Sequence, residues 1–284
     1  MNEYQNKMKK SKIKRKNELV VLFLSLIVFF CGFFIGSRVA LKKQAVLSTF
    51  NRNTEIQNKN LKNDEIKNRF TTFQPAGVYM PWKQKRKDGE KVAYLTFDDG
   101  PSLNNTPRIL EILNKNNIKA TFFLIGKNAE INKDLVKEEV KEGHVVANHT
   151  YSHQLKYRQN PSLFVDDVNR CNLILRSVIG RDYDLKLVRF PGGSFNTRGL
   201  NMNPFKDAIT KAGYHYVDWN DWIGDASGNN IPVDNLMNEL KKYTNHDTVV
   251  ILMHDAAAKT TTVQALPKVI EYLKSRGYTF ETLN

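Results

Sequence analysis

From about Ala76 to the C-terminus, short apolar runs alternate with amphipathic stretches, and this alternation restricts the fold more than any other feature of the chain. The runs occupy residues 92–97, 120–125, 144–148, 187–190, 214–219, 248–253 and 278–283. Between them lie stretches with helical spacing at 107–115, 132–142, 162–179, 204–212, 233–243 and 262–275, several of them closed by Gly143, Gly180, Gly213 and Gly277. A short run that is apolar at consecutive positions is covered on both faces, and parallel neighbours need crossover helices between them. The expectation for residues 76–284 is therefore an α/β domain with a parallel sheet, curled into a closed or distorted (β/α) barrel. An open doubly wound sheet is the alternative, but no glycine-rich phosphate fingerprint follows the first run.

A different composition precedes this region. Residues 19–36, LVVLFLSLIVFFCGFFIG, carry no charge, and at ~1.5 Å per residue they nearly cross a ~30 Å hydrocarbon layer. Extension to Leu41, with Arg38 snorkelling, completes a span. Lys7, Lys9, Lys10, Lys12, Lys14, Arg15 and Lys16 precede it, so a tail at 1–18 stays in the cytoplasm and everything after 19–41 lies outside. A cleaved leader needs small residues one and three before the cut; cuts after Ala40 or Ala45 would put Arg38 or Lys43 at the outer position, so an uncleaved anchor is expected. Residues 42–75 are polar, with too few apolar side chains to offset chain entropy, and read as a stalk. The net charge of +14 is concentrated at this end: residues 1–43 hold ten Lys/Arg against Glu3 and Glu18. The remainder has no basic run with interleaved aromatics, which argues against nucleic acid as a partner. Cys31 lies in the span and Cys171 stands alone, so no intramolecular disulfide is expected.

Four polar motifs fall where apolar runs end. Thr96-Phe97-Asp98-Asp99-Gly100-Pro101 closes the first. Adjacent carboxylates on a strand point to opposite sides, which suits one to hold a metal and the other to take a proton; a helix-capping Asp-Asp turn is the plainer alternative. His149 and His153 follow the third run at i, i+4 spacing and face the same way if the chain turns helical there. With Asp99 they offer two nitrogens and one oxygen, a set that suits zinc with positions left for water. Arg189 ends the fourth run ahead of Pro191-Gly192-Gly193, where a guanidinium can grip a carboxylate in a bidentate pair and glycine lets backbone N–H groups approach a ligand. His254 ends the run at 248–253. Each motif alone reads equally well as a turn, a surface pair or a satisfied core histidine. In a (β/α) barrel, however, the C-terminal strand ends meet on one face, where active sites are built.

TFDDGP, HTYSH, RFPGG and LMHD, in this order and spacing, resemble the motifs of the polysaccharide deacetylases of carbohydrate esterase family 4, which share the NodB-homology domain. The resemblance covers roughly residues 80–284. It implies a distorted (β/α)7 barrel and hydrolysis of N-acetyl groups on a polysaccharide. Position by position, it makes Asp98 the general base. Asp99, His149 and His153 become ligands of a divalent metal, Zn2+ first, with Co2+, Ni2+ or Mn2+ also suited. Arg189 would hold Asp98, the N–H of Gly192 would line the oxyanion site, Leu252 would wall the acetyl pocket and His254 would be the general acid. Residues 218–226, DWNDWIGDA, depart from the commoner Asp-Trp pair and look like a WNxxxGDA variant in which Asp225 tethers His254. Asp221-Trp222 is the alternative tether, and Trp222 or Trp219 lines the groove. Together with anchor and stalk, the resemblance implies a single-pass membrane enzyme facing the wall and acting on N-acetylglucosamine of peptidoglycan. Poly-N-acetylglucosamine and N-acetylmuramic acid are the rival substrates. A catalytically silent wall-binding protein is the reading outside the enzyme class, and the intact base, ligands and acid speak against it.

Overall fold

The computed structural model describes residues 77–283 except 85, 87, 155–159, 184 and 197–199, all within one compact unit, Arg69–Asn284. The expected tail at 1–18, anchor at 19–41 and stalk at 42–75 lie outside the described residues. Among the described residues no helix is long and apolar enough to cross a membrane.

Eight strands form one sheet: β1 (Lys91–Asp98), β2 (Thr121–Leu124), β3 (Val145–Asn148), β4 (Leu187–Val188), β5 (His215–Tyr216), β6 (Asp221–Trp222), β7 (Thr248–His254) and β8 (Tyr278–Glu281). The hydrogen-bonded order is β5-β4-β3-β2-β1-β7-β6, with β8 also on β1, and every pairing is parallel. Each of the seven apolar runs carries a strand. β6 falls inside the motif at 218–226 and not in an apolar run, because two residues are too few to show a strand pattern.

Along one edge β1 pairs with β7 from Val92↔Thr248 to Asp98↔His254. Its other edge is shared, with β8 from Lys91↔Tyr278 to Tyr94↔Glu281 and β2 from Thr96↔Thr121 to Asp98↔Phe123. Among the described residues no ladder joins β5 to β6, so the expected barrel corrects to a partial one, open between those strands. The preceding segment reinforces the β5 edge: the Tyr79 N–H donates to the Tyr216 carbonyl at 2.8 Å and the Tyr216 N–H to the Gly77 carbonyl at 2.9 Å.

The crossovers are α1 (Thr106–Lys115), α2 (Gly126–Ile131), α3 (Lys133–Lys141), α4 (Pro161–Ile179), α5 (Asn203–Lys211), α6 (Val233–Tyr243) and α7 (Thr260–Ser275). Six match the amphipathic stretches to within two residues at either end; α2 is too short for its periodicity to stand out. α4 shows why a boundary falls where it does. The Asn160 side chain accepts from Ser162 and Leu163 N–H, Pro161 opens the first turn, and Gly180 follows the last at φ 135°.

Alternation along β1 sends Ala93, Leu95 and Phe97 toward the helices, where they pack with Leu113, Val269 and Leu273. Val92 and Tyr94 face the opposite side with Phe123, Val250 and Leu283. Full burial of one such large apolar side chain is worth about 1.5–3 kcal/mol. The same period of two puts Thr96 and Asp98 on the inner side, at the end of the strand.

Candidate active site

Four strand ends supply the site. Asp98 is the last residue of β1, and its Cα partner in the neighbouring strand is His254, the last residue of β7. Arg189 follows β4 directly and is anchored through its own N–H, which donates to the Asn148 carbonyl at 3.0 Å. His149 follows β3.

Asp99 does not continue the strand. Its φ of 77° turns the chain out of the sheet, so the two carboxylates end beside the same imidazole rather than on opposite sides: His149 Nε2 lies 3.7 Å from Asp98 Oδ2 and 3.4 Å from Asp99 Oδ1. His153 Nε2 lies 3.1 Å from that Asp99 oxygen. The histidines meet without the helical turn expected from their spacing. Thr150 and His153 both adopt positive φ, 66° and 54°. Side chains hold that loop: Asn148 Oδ1 accepts from Thr150 N–H at 2.8 Å, and Thr150 Oγ1 accepts from His153 N–H at 3.0 Å. Asn and Thr offer the backbone these local bonds in place of helical ones.

Asp99, His149 and His153 each offer one ligand atom, all within 4.8 Å of one another. Asp99 Oδ1 is buried and has no aligned hydrogen bond among the described residues, although two imidazole nitrogens stand beside it. An acceptor oxygen facing two nitrogens without an aligned proton is what a cation needs. His149 Nδ1 lies 2.8 Å from the Arg189 carbonyl; a carbonyl only accepts, so Nδ1 carries the proton and the Nε2 lone pair is left for an ion. Burial pushes the Asp99 carboxyl up, but the two imidazoles outweigh it and hold the group below the usual carboxylate range. Burial likewise opposes charge on His149, while Asp98 and Asp99 raise it.

Arg189 is fully buried. Its Nη1 donates to Asp98 Oδ1 at 2.9 Å and to Thr96 Oγ1 at 2.7 Å, Nε donates to the Val217 carbonyl at 3.3 Å, and Nη2 to the Asp218 carbonyl at 3.1 Å. The carboxylate is thus held by one nitrogen rather than in the expected bidentate grip, because the other guanidinium donors are spent on the backbone after β5. The guanidinium also lies 4.1 Å over the Phe123 ring.

The Pro-Gly-Gly turn after Arg189 closes through Gly193 N–H on the Phe190 carbonyl at 2.8 Å, with Gly192 at φ 74°. Proline followed by a positive-φ glycine is a type II turn, which a side chain at Gly192 would strain. Asp218, for which spacing and resemblance name no role, fixes this turn: its carboxylate accepts from Ser194 N–H at 2.8 Å and Ser194 Oγ at 2.6 Å.

His254 Nδ1 lies 2.9 Å from Asp225 Oδ1, and the His254 N–H donates to Asp225 Oδ2 at 2.8 Å. Asp225 sits in a short 3-10 turn, Asp225–Ser227, where Thr262 Oγ1 donates to its Oδ2 and Lys259 Nζ to its carbonyl, both at 2.8 Å. Asp221, the alternative tether, bonds instead to Thr244 Oγ1 and Trp222 N–H. Burial disfavours the His254 cation, but the Asp225 bond and the charges of Asp225, Asp98 and Asp99 win, raising its pKa to about 9. Nothing in the sequence around Thr262 and Lys259 announces their part in holding Asp225.

A cavity of about 520 Å³ opens beside His254, lined by Leu252, Trp219, Trp222, Phe195 and the turn at Asp225. Both tryptophans line it. Phe195 is half exposed and meets Trp219 edge-on at 5.5 Å.

Comparison with known proteins bears on this geometry. The family model for polysaccharide deacetylase matches residues 85–217. A peptidoglycan-N-acetylglucosamine deacetylase of Bacillus cereus is 32% identical over 213 residues, 75% of this chain and 94% of that one. A putative polysaccharide deacetylase of Bacillus subtilis is 31% identical over 270 residues, 93% of this chain and 89% of that one. Among solved structures, a CE4 esterase of Streptococcus mutans superposes with a TM-score of 0.64 at 32% identity, over 69% of this chain and 87% of that one.

Proposed function

The chain belongs to the polysaccharide deacetylase family, and on that premise we propose that it hydrolyses N-acetyl groups of cell-wall glycan, with N-acetylglucosamine of peptidoglycan as substrate. The observation that carries the reading is the convergence at one rim of a base candidate held by arginine, a three-ligand cluster and a carboxylate-tethered histidine.

Asp98 takes a proton from the water that attacks the acetamide carbon, and the bond from Arg189 Nη1 holds that carboxylate in place. The Gly192 N–H is a donor for the oxygen that becomes negative as the tetrahedral centre forms. His254, protonated and oriented by Asp225, gives a proton to the departing sugar nitrogen, which leaves as an amine while the acetyl carbon leaves as acetate. Leu252 walls the methyl side of the acetyl group, and Trp222 with Trp219 borders the sugar. Asp99, His149 and His153 are the residues that would hold a divalent ion, zinc first by their donor set, with cobalt, nickel and manganese also compatible. When bound, such an ion supplies Lewis acidity to the acetyl carbonyl and the attacking water.

The apolar segment 19–41 anchors the chain with the basic tail in the cytoplasm and the catalytic domain at the wall. The seven basic residues ahead of the segment and the polar stalk after it support this placement. The peptidoglycan-acting B. cereus relative supports the choice of glycan. Incubation with purified peptidoglycan and, separately, with poly-N-acetylglucosamine tests it: acetate release from the first is expected, and release from the second alone would assign the enzyme to another surface polymer.

A further inference from the structure

On the His153 side of the site lies a second cavity, about 470 Å³ in volume, between the loop after β1, α2 and the residues following β7. This is within the roughly 300–1,000 Å³ typical of small-ligand sites. Asp99 and His153 form its inner wall; Leu103, Asn104, Asn128 and Asn132 form much of the rest. The three asparagines share an arrangement. Asn128 Nδ2 donates to the Asp99 carbonyl at 2.8 Å, Asn132 Nδ2 to the Pro101 carbonyl at 3.2 Å and Asn104 Nδ2 to the Ala257 carbonyl at 2.9 Å. A backbone carbonyl can only accept, so these bonds fix which end of each amide is nitrogen. Each amide therefore spends at least one N–H on the protein and leaves its carbonyl oxygen as an acceptor for something else. Among the described residues no protein group donates to any of those three oxygens. Beside them Leu103 is 77% exposed.

We propose that this cavity is a subsite for the sugar adjoining the one that loses its acetyl group, with the Asn104, Asn128 and Asn132 oxygens accepting from hydroxyl or amide N–H groups and Leu103 covering the C–H face of the ring. A pyranose has a donor-rich edge and an apolar face, and this wall offers amide acceptors together with the exposed side chain of Leu103. The cavity lined by Trp219, Trp222 and Phe195 is aromatic, so the two cavities differ in chemistry and give a bound strand a direction. The inference rests on the glycan reading given above. Asn128 and Asn132 also brace the turn that carries Asp99, so binding here stiffens a metal-ligand candidate; for the same reason the test belongs on the exposed pair, Leu103 and Asn104.

The metal-loaded Leu103→Ala/Asn104→Ala double variant should be compared with the parent protein on N-acetylglucosamine oligosaccharides of increasing length and on a small aryl acetate. The expected result is a roughly tenfold fall in the ratio of kcat/KM for the longer oligosaccharides to that for the aryl acetate, carried by KM, the scale of one or two lost hydrogen bonds and an apolar contact. An unchanged ratio, or equal loss on both substrates, would overturn the subsite. If the parent protein itself releases acetate from no glycan, the function reading fails. If it releases acetate and the ratio is unmoved, only the subsite fails.

Discussion

Asp98 and Asp99 are neighbours in sequence, yet their partners assign them different work: Asp98 faces a buried guanidinium, and Asp99 faces two imidazoles. Asp98→Asn removes the proton acceptor and leaves Arg189 buried without its counter-charge. Acetate release should fall by about 10²–10⁴-fold, and thermal unfolding should show a loss of up to about 3–5 kcal/mol; activity lost with no change in stability would contradict the buried pair. The His254–Asp225 pair predicts a pH dependence. A pKa near 9 keeps His254, the proposed general acid, protonated at neutral pH, so kcat should fall as pH rises through about 9. The same shift contributes stability that is fully present below the ordinary histidine pKa of about 6.5 and is lost as pH rises through about 9. Asp225→Asn removes the main group that raises His254, so the basic limb of the profile should move toward or below 6.5. A limb that stays in place would refute the tethering role.

Elements long enough to express their period were readable in the sequence, and short or side-chain-held ones were not. Six helices and seven strands follow from periodicity and glycine stops, whereas β6 and α2 are too short to show a pattern. The i, i+4 histidines suggested a helical turn because spacing carries no information about φ; Asn148 and Thr150 capture the backbone of that loop instead. Asp218 was in view among several aspartates, but its hold on the Ser194 turn depends on a contact between two loops that sequence spacing does not encode. Spacing alone leaves Gly192, Leu252 and Asp225 without roles; those proposed for them come from resemblance, and of the three the structure shows Asp225 bonded to His254. α3 carries its own prediction. Glu139 is fully buried, and neither carboxyl oxygen has a partner among the described residues. Burial first, then the charges of Asp255 and Glu138, push its pKa well above the ordinary value. A carboxyl raised on folding contributes stability below its unfolded pKa of about 4.3 that is lost as pH rises. Glu139→Met should therefore raise Tm at pH 8 and lose much of that advantage near pH 4, as thermal melts across pH would show; an equal gain at both would refute the buried-charge explanation.

At the scale of the whole molecule, the partial barrel gathers four strand ends, while β8 reinforces β1 at the end away from the site and the segment at Gly77–Tyr79 pairs along the β5 edge. Binding a divalent ion should stabilise the fold by about 2.7 kcal/mol at a free concentration 100 times Kd. A chelator should abolish both that gain and acetate release, and zinc should restore them. Activity that survives exhaustive chelation would separate Asp99, His149 and His153 from the chemistry. The central claim concerns one bond on one sugar. Mass spectrometry of muramidase-digested peptidoglycan, after treatment with the zinc-loaded protein, locates the change: free amines are expected on the glucosamine residues of the glycan and none without the protein. Fragments with every N-acetylglucosamine intact, or with the new amine on muramic acid, would contradict it.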